Sequence, residues 1–177
     1  MRVVALQAAL QAELIAAAFA HTQAGRPVFP CAPNKRPRVK GGFKAATTDC
    51  RILQEWWRRW PIAMIGMPTG AASGFDVLDI DRKAGKDGFA TLREKGVTIP
   101  AGVMEVITPS GGSHLYFPHE PGRRSEAERF GPGVDIRADG GYVIVPPSRP
   151  TIDGPDYHFA EGQSADSLGL PIWGLAL

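Results

Sequence analysis

The chain has 177 residues, 44% of them hydrophobic and 21% charged, a composition that is ordinary for a globular protein and excludes large-scale disorder. This length fits one domain with a real core, spanning residues 1–177 in two lobes. The net charge of +2 is too small to drive nucleic-acid binding if the charges are spread evenly. Cys31 and Cys50 are the only cysteines, which excludes a four-cysteine zinc site within the chain and indicates a reducing cytoplasm.

The first predicted element is an N-terminal helix that closes near Gly25. Its apolar positions recur at helical spacing, at Leu6, Leu10, Leu14 and Ala17 or Ala18. The apolar run over residues 3–20 resembles a signal sequence or membrane span in composition, but polar side chains interrupt it at Gln7, Gln11 and Glu13. We therefore expect an amphipathic core helix.

A basic loop and an aromatic helix follow. Residues 27–32 are predicted to be extended, and residues 34–44 form a loop with five cationic side chains, a pattern typical of a solvated surface. Thr48 and Asp49 predict the start of a second helix, which ends at Pro61. Its apolar residues are Ile52, Leu53, Trp56, Trp57 and Trp60. Their spacing favours one buried face over a base-stacking platform.

The second half of the chain is predicted to be richer in strands than in helices. The predicted strands cover residues 62–67, 74–81, 103–108 and 113–117, and a short helix covers 87–95. Residues 134–137 are predicted to pair with 142–145 across a four-residue turn. The polar segment 118–130 is predicted to be a mobile loop.

Two carboxylates lie two residues apart in the sequence Val77-Leu-Asp-Ile-Asp81, which otherwise has the composition of a buried strand. Side chains alternate across a strand, so Asp79 and Asp81 face the same side. Two ionised carboxylates about 4 Å apart repel by roughly 4 kcal/mol at an effective dielectric of about 20. A divalent cation removes that cost, and carboxylate oxygens suit Mg²⁺ or Mn²⁺. A strand that simply ends in a solvated loop beside Arg82 and Lys83 is the alternative.

Two further segments complete a candidate site. Asp135 lies in a strand with Val134 and Ile136 on the opposite face, so it can supply a third carboxylate. Three convergent carboxylates can hold two metal ions in nucleotidyl transfer. His114 follows Gly111 and Gly112, whose backbone amides can approach a triphosphate while the imidazole donates to its oxygens.

In this order the segments resemble the N-terminal domain of the bifunctional primase-polymerases, a branch of the archaeo-eukaryotic primase superfamily. The similar pieces are a Lys-x-Pro loop at Lys35, the capped tryptophan helix, the glycine turn of residues 65–70, the two-aspartate strand, the histidine motif of residues 108–114, and the third motif with its Pro-Pro-Ser, residues 133–148. The resemblance covers nearly the whole chain. It departs at Ser113, where the family often has a basic residue.

The resemblance implies an α+β fold with the two-lobed primase-polymerase architecture, one lobe being an RRM-like mixed sheet that carries the carboxylates. It implies a single catalytic domain with Mg²⁺ or Mn²⁺ as cofactor, and template-directed nucleotide addition in replication or repair priming. The implied partners are nucleoside triphosphates, single-stranded or primed DNA, and a helicase in trans or in a longer parent chain, with no membrane. The implied metal ligands are Asp79, Asp81 and Asp135, and the implied nucleotide-binding residues are His114, Ser110, Gly111, Gly112, Lys35 and Arg137.

Two rival functions use the same residues differently. A different Asp-x-Asp metal enzyme, such as a nucleotide-sugar transferase, does not require the Gly-Gly-x-His and Val-Asp-Ile-Arg segments. A catalytically idle nucleic-acid-binding or replication-initiation module keeps the fold without metal-dependent incorporation. Turnover of sugar nucleotides indicates the first rival, and single-stranded DNA binding without incorporation indicates the second.

Overall fold

The computed structural model describes residues 2–83 and 85–167 of the chain. Its helices are α1 (Arg2–Gln23), α2 (Cys50–Arg59) and α3 (Gly88–Glu94), with 3-10 turns at Gly42–Ala45 and Ala165–Ser167. Its strands are β1 (Phe29–Cys31), β2 (Met64–Pro68), β3 (Phe75–Ile80), β4 (Arg82–Lys83), β5 (Lys86–Asp87), β6 (Met104–Ile107), β7 (Ser113–Pro118), β8 (Glu126–Gly131), β9 (Val134–Arg137), β10 (Tyr142–Val145) and β11 (His158–Phe159). The predicted α+β class is confirmed.

The chain divides into two compact units. The first contains the residues up to Pro68 together with Val143–His158, and the second contains Thr69–Tyr142 with the segment that begins at Phe159. In the first unit, α1 packs against α2 and a three-stranded sheet has the order β1-β2-β10. Its two free cysteines differ: Cys50 is exposed, and burial raises the pKa of the Cys31 thiol to about 12.

Helix α1 packs into the first unit along one face. Leu10, Leu14, Ala18 and His21 are buried, a spacing of three or four residues that places them on one side of a helix. Leu6, predicted to belong to this face, is instead 41% exposed. The segment Val4–Gln23 is long and apolar enough to cross a membrane by length and composition alone. A helix that packs in the core of a protein can have the same length and composition.

The imidazole of His21 makes the stability of the fold depend on pH. Burial, and next the positive charge of Arg26, lower the pKa of His21 from 6.5 to about 4. The unfolded chain therefore binds the proton more tightly, and stability falls as the pH drops from about 6.5 towards about 4. At pH 5 this linkage costs about 2 kcal/mol. Urea unfolding of the protein and of His21→Leu at pH 7 and pH 5 tests it, because only the wild type is expected to lose that increment. Equal losses would contradict the assignment.

The second unit is built on a six-stranded sheet with the order β11-β6-β7-β3-β9-β8. The pairings β6 with β7, β7 with β3, β3 with β9 and β9 with β8 are antiparallel. One face of this sheet contributes side chains to a hydrophobic cluster, which also contains Leu92 of α3. The members from the sheet include Leu78, Ile80, Leu115 and Ile136. Because side chains alternate along β3, Asp79 lies on the opposite face from Leu78 and Ile80.

Two predictions about the second half of the chain are wrong. Residues 134–137 do not form a hairpin with 142–145, because β9 joins the six-stranded sheet whereas β10 joins the three-stranded one. The segment predicted to be a mobile loop, residues 118–130, contains all of β8 except its last residue, and β8 is a polar edge strand without the alternation that identifies strands from sequence. The start of that segment is held by Asp76, whose carboxylate accepts hydrogen bonds from the Glu120 amide at 3.1 Å and contacts His119 Nδ1 at 2.8 Å.

Candidate active site on the six-stranded sheet

The centre of the site is a row of three polar side chains across adjacent strands. In the antiparallel register, Asp79 of β3 lies directly opposite His114 of β7 on one side and opposite Asp135 of β9 on the other. Residues that pair in this way have Cβ atoms about 4.5 to 5.5 Å apart. The sheet therefore brings together two of the three predicted carboxylates and the predicted histidine.

The guanidinium of Arg137 bridges the two carboxylates of this row. Its Nε donates to Asp79 Oδ2 at 3.3 Å and its Nη2 donates to Asp135 Oδ2 at 2.6 Å. The side chains of Asp79 and Asp135 are only 16% and 17% exposed, so their mutual repulsion is poorly screened by solvent. The bridging cation offsets that repulsion.

His114 lies against the carboxylate of Asp79 from the other side. Its Nε2 is 3.6 Å from Asp79 Oδ1, and its side chain is 5% exposed. Asp79 is thus contacted by a ring nitrogen on one oxygen and by a guanidinium on the other.

Asp81 follows the end of β3 and its backbone is fixed by two neighbours. Its amide donates to Gly133 O at 2.8 Å, and its carbonyl accepts from Gly88 N at 2.9 Å. Its carboxylate pairs with Lys83, Nζ to Oδ1 being 2.7 Å. The solvated-loop alternative has Asp81 meeting water beside Arg82 and Lys83; in the structure the Asp81 side chain is 24% exposed and pairs with Lys83, which is 50% exposed.

A second lysine and an edge-strand amide complete the electrostatics of the site. The amide of Glu128, a residue with φ of 52°, donates to Asp135 Oδ1 at 2.8 Å. The carboxylate of Glu128 accepts a hydrogen bond from Lys86, and this bond raises the pKa of the lysine. The negative charges of Asp135 and Asp81 raise the pKa of Lys86 further. Neither Glu128 nor Lys86 could be predicted from periodicity, because both lie in short or irregular polar segments.

The carboxylates of Asp79, Asp81 and Asp135 are hard oxygen donors of the type that Mg²⁺ and Mn²⁺ prefer. Within the described ranges, however, no group of three or more His, Cys, Asp or Glu side chains is arranged to hold a metal ion. Arg137 contacts one oxygen of Asp79 and one of Asp135, and Lys83 contacts one oxygen of Asp81. The donor chemistry fits a divalent cation, and the cation would compete with these two side chains.

The backbone amides of the predicted glycine loop donate hydrogen bonds to Thr108, at the start of the same loop. Gly111 N donates to Thr108 O at 2.9 Å, and Gly112 N donates to Thr108 Oγ1 at 3.1 Å. Ser110 Oγ lies 3.2 Å from the same hydroxyl. Both glycine amides are therefore engaged within the loop, and the nucleotide contact predicted for residues 110–112 stays a prediction.

The position of Gly112 has no room for a side chain, because the backbone of β3 passes close to it. A Cβ atom there would lie 2.2 Å from Ile80 O, whereas a Cβ atom at Gly111 would meet nothing within 4 Å. We expect Gly112→Ala to destabilise the protein by about 1 to 3 kcal/mol or more, as overpacking does. Gly111→Ala, where only the positive φ of 77° is unfavourable, is expected to cost about 1 to 2 kcal/mol. Chemical denaturation of both variants measures the difference, and equal costs would mean that the close approach to β3 is relieved by a shift.

Ser113, the departure from the family pattern, faces away from the row. It precedes His114 in β7, so its side chain lies on the other face of the sheet, where Oγ donates to Glu105 Oε1 at 2.5 Å. A basic residue at this position would not share the face of His114.

Lys35 is the one predicted site residue in the first unit. It has φ of 67°, and its Nζ lies 5.7 Å from the centroid of the Tyr157 ring. The other predicted residues all belong to the second unit.

Comparison with known proteins identifies a family for most of the chain. A family model described as Prim-Pol, bifunctional DNA primase/polymerase, N-terminal, matches residues 18–173, which include all of the predicted site residues. No curated protein matches the chain.

Proposed function

The chain belongs to the bifunctional DNA primase/polymerase N-terminal family, and from this membership we propose that it adds nucleotides to the 3′-hydroxyl of a primer on a DNA template, in replication or repair priming. The observation that carries the proposal is the row of Asp135, Asp79 and His114 across three paired strands. The proposal requires the carboxylates and the histidine to lie on one face of a sheet, and the register of β3 with β7 and β9 supports it.

In the proposed reaction Asp79, Asp81 and Asp135 hold Mg²⁺ or Mn²⁺, and His114 contacts the phosphates of the incoming nucleotide. The metal, when bound, neutralises charge on the triphosphate and lowers the pKa of the primer hydroxyl. If a metal took the place of Arg137 and Lys83 at these carboxylates, the two cationic side chains would be free to interact with the negative charge of the triphosphate. The sheet itself mainly positions the reactants, and positioning together with electrostatic stabilisation accounts for most of the barrier reduction in such reactions.

A primer-extension assay tests the proposal. It uses a labelled primer on a DNA template, Mg²⁺ or Mn²⁺, and ribonucleotides and deoxyribonucleotides in separate reactions. Metal-dependent lengthening of the primer supports it. Binding of the primed template without lengthening would favour the idle binding module, and turnover of a sugar nucleotide would favour the nucleotide-sugar transferase.

We expect extension of an existing primer to be more efficient than the start of a new one. Starting requires two nucleotides and a template to be held together with no duplex to anchor them, so the cost of assembly falls on protein contacts alone. The assay compares product formed by the 177-residue chain on primed and unprimed single-stranded DNA, with a salt titration of each. De novo synthesis at a rate comparable with extension would contradict this expectation.

A further inference from the structure

Positive charge is concentrated in one part of the first unit. Residues 26–60 contain nine Lys and Arg and two Asp and Glu, a formal charge of +7, although the whole chain carries only +2. The cationic side chains Lys35, Arg36, Arg38, Lys40, Lys44, Arg51, Arg58 and Arg59 are all exposed. Although the net charge of the chain is small, residues 26–60 therefore produce a positive local potential that favours binding of a polyanion.

Two of these arginines meet at an aromatic ring. Arg38, from the basic loop, and Arg59, from the last turn of α2, have their Cζ atoms 5.9 Å and 4.9 Å from the centroid of the Trp60 ring. Trp60 is half-buried, unlike Trp57, which is 1% exposed. The predicted buried face therefore holds for Leu53 and Trp57, whereas Trp56 and Trp60 are only half-buried and Ile52 is 38% exposed.

The arrangement leaves these guanidiniums available to an outside anion. Within the described part of the chain Arg38 and Arg59 form no ion pair with a carboxylate, whereas Arg51 pairs with Asp49 at 3.4 Å. The loop that carries Arg38 is fixed by its backbone, Arg38 N donating to Pro30 O at 2.9 Å. Contact with the ring restricts both side chains, so less rotamer entropy is lost when they bind a ligand.

We propose that this surface, formed by Arg38, Arg59 and Trp60 and flanked by Arg36, Lys40 and Arg58, binds single-stranded nucleic acid through its phosphates. Cationic side chains interleaved with a partly exposed aromatic ring are suited to a single strand, whose bases are free to stack, more than to a duplex. The inference deepens the proposed function, on which the identity of this strand as the template rests. It uses none of the residues of the carboxylate row.

Equilibrium binding of a labelled oligothymidylate, followed by fluorescence anisotropy over a range of salt concentrations, tests the proposal. For the double variant Arg38→Ala with Arg59→Ala we expect weaker binding at every salt concentration. The slope of log K against log salt should fall by about 1.4, since each lost phosphate contact to a single strand contributes about 0.7. Arg38→Lys with Arg59→Lys should keep the slope and lose affinity, because lysine retains the charge without the planar stacking group.

The matched control is Arg93→Ala with Lys95→Ala, which removes the same charge from exposed positions of the second unit. Losses in this control equal to those of Arg38→Ala with Arg59→Ala would overturn the proposal, because the effect would then be one of net charge. Duplex DNA or polyglutamate that competes as well as the single strand would overturn the choice of ligand.

The two proposals fail separately. Asp79→Asn is expected to bind the oligonucleotide as the wild type does, because the carboxylate row is not part of the proposed surface. Incorporation without any effect of the Arg38 and Arg59 variants on binding would overturn this inference and leave the proposed function standing. If the Arg38 and Arg59 variants weaken binding as expected but the wild type incorporates no nucleotide, the proposed function is overturned and this inference stands.

Discussion

Replacing Asp79 with Asn is expected to reduce nucleotide incorporation by more than about a hundredfold while the protein stays folded. Even residues that only orient a metal ligand are worth about 10- to 100-fold in metalloenzymes, so loss of a ligand itself should cost more. Asp79 is the central member of the row, opposite both His114 and Asp135. The same loss is expected for Asp135→Asn and Asp81→Asn.

The sequence alone suggests that these amides should also stabilise the metal-free protein by relieving repulsion between carboxylates. The contacts of Arg137 and Lys83 reduce that expectation, because the repulsion is already offset and the substitution removes a favourable pair. We therefore expect only small changes in melting temperature. Asp153→Asn, which makes the same chemical change at an exposed position, is the matched control. Retained incorporation in Asp79→Asn, or a sharp fall in melting temperature in all three variants, would make these aspartates structural.

The second large effect is expected from His114→Ala, which should weaken nucleotide binding about ten- to a hundredfold and leave template binding unchanged. The estimate is the loss of one hydrogen bond to a charged group, about 1.5 to 3 kcal/mol. Titration of a nonhydrolysable nucleotide, and separately of primed DNA, measures the two affinities. His158→Ala, at an exposed histidine, is the control.

The burial of His114 makes a second outcome informative. Because Nε2 lies 3.6 Å from Asp79 and the side chain is only 5% exposed, the histidine could act by positioning that carboxylate. In that case the variant would lose turnover and need more metal for half-maximal activity, with nucleotide affinity unchanged. Equal losses of affinity for nucleotide and DNA would contradict both roles.

The row of carboxylates was predictable because it depends on the alternation of side chains along a strand. Val134, Ile136, Leu78 and Ile80 are apolar, so the aspartates between them must face the other side of the sheet. The helix start at Asp49 was likewise predictable, and the structure shows its side chain accepting a hydrogen bond from Arg51 N at 2.8 Å. Local chemistry determined both features.

Other features depend on long-range pairing, which the sequence pattern does not encode. The partners of β9 and β10 lie in different sheets although only a short turn separates the two strands. Their sequence would fit a hairpin between β9 and β10 equally well. The cations around the carboxylates come from Lys83, Lys86 and Arg137, which are brought together only by the pairing of β4 with β5 and of β3 with β9. Polar residues in short strands carry no periodicity from which such a cluster could be predicted.

The most direct test of the central claim is the addition of a single nucleotide opposite a defined template base. The purified protein is given a labelled primer-template, Mg²⁺ or Mn²⁺, and each of the four nucleotides in a separate reaction, with Asp79→Asn and a chelator as blanks. The proposed function predicts a primer longer by one residue with the complementary nucleotide, and no product in either blank. Absence of any metal-dependent product, or equal addition of all four nucleotides on every template, would contradict template-directed nucleotidyl transfer.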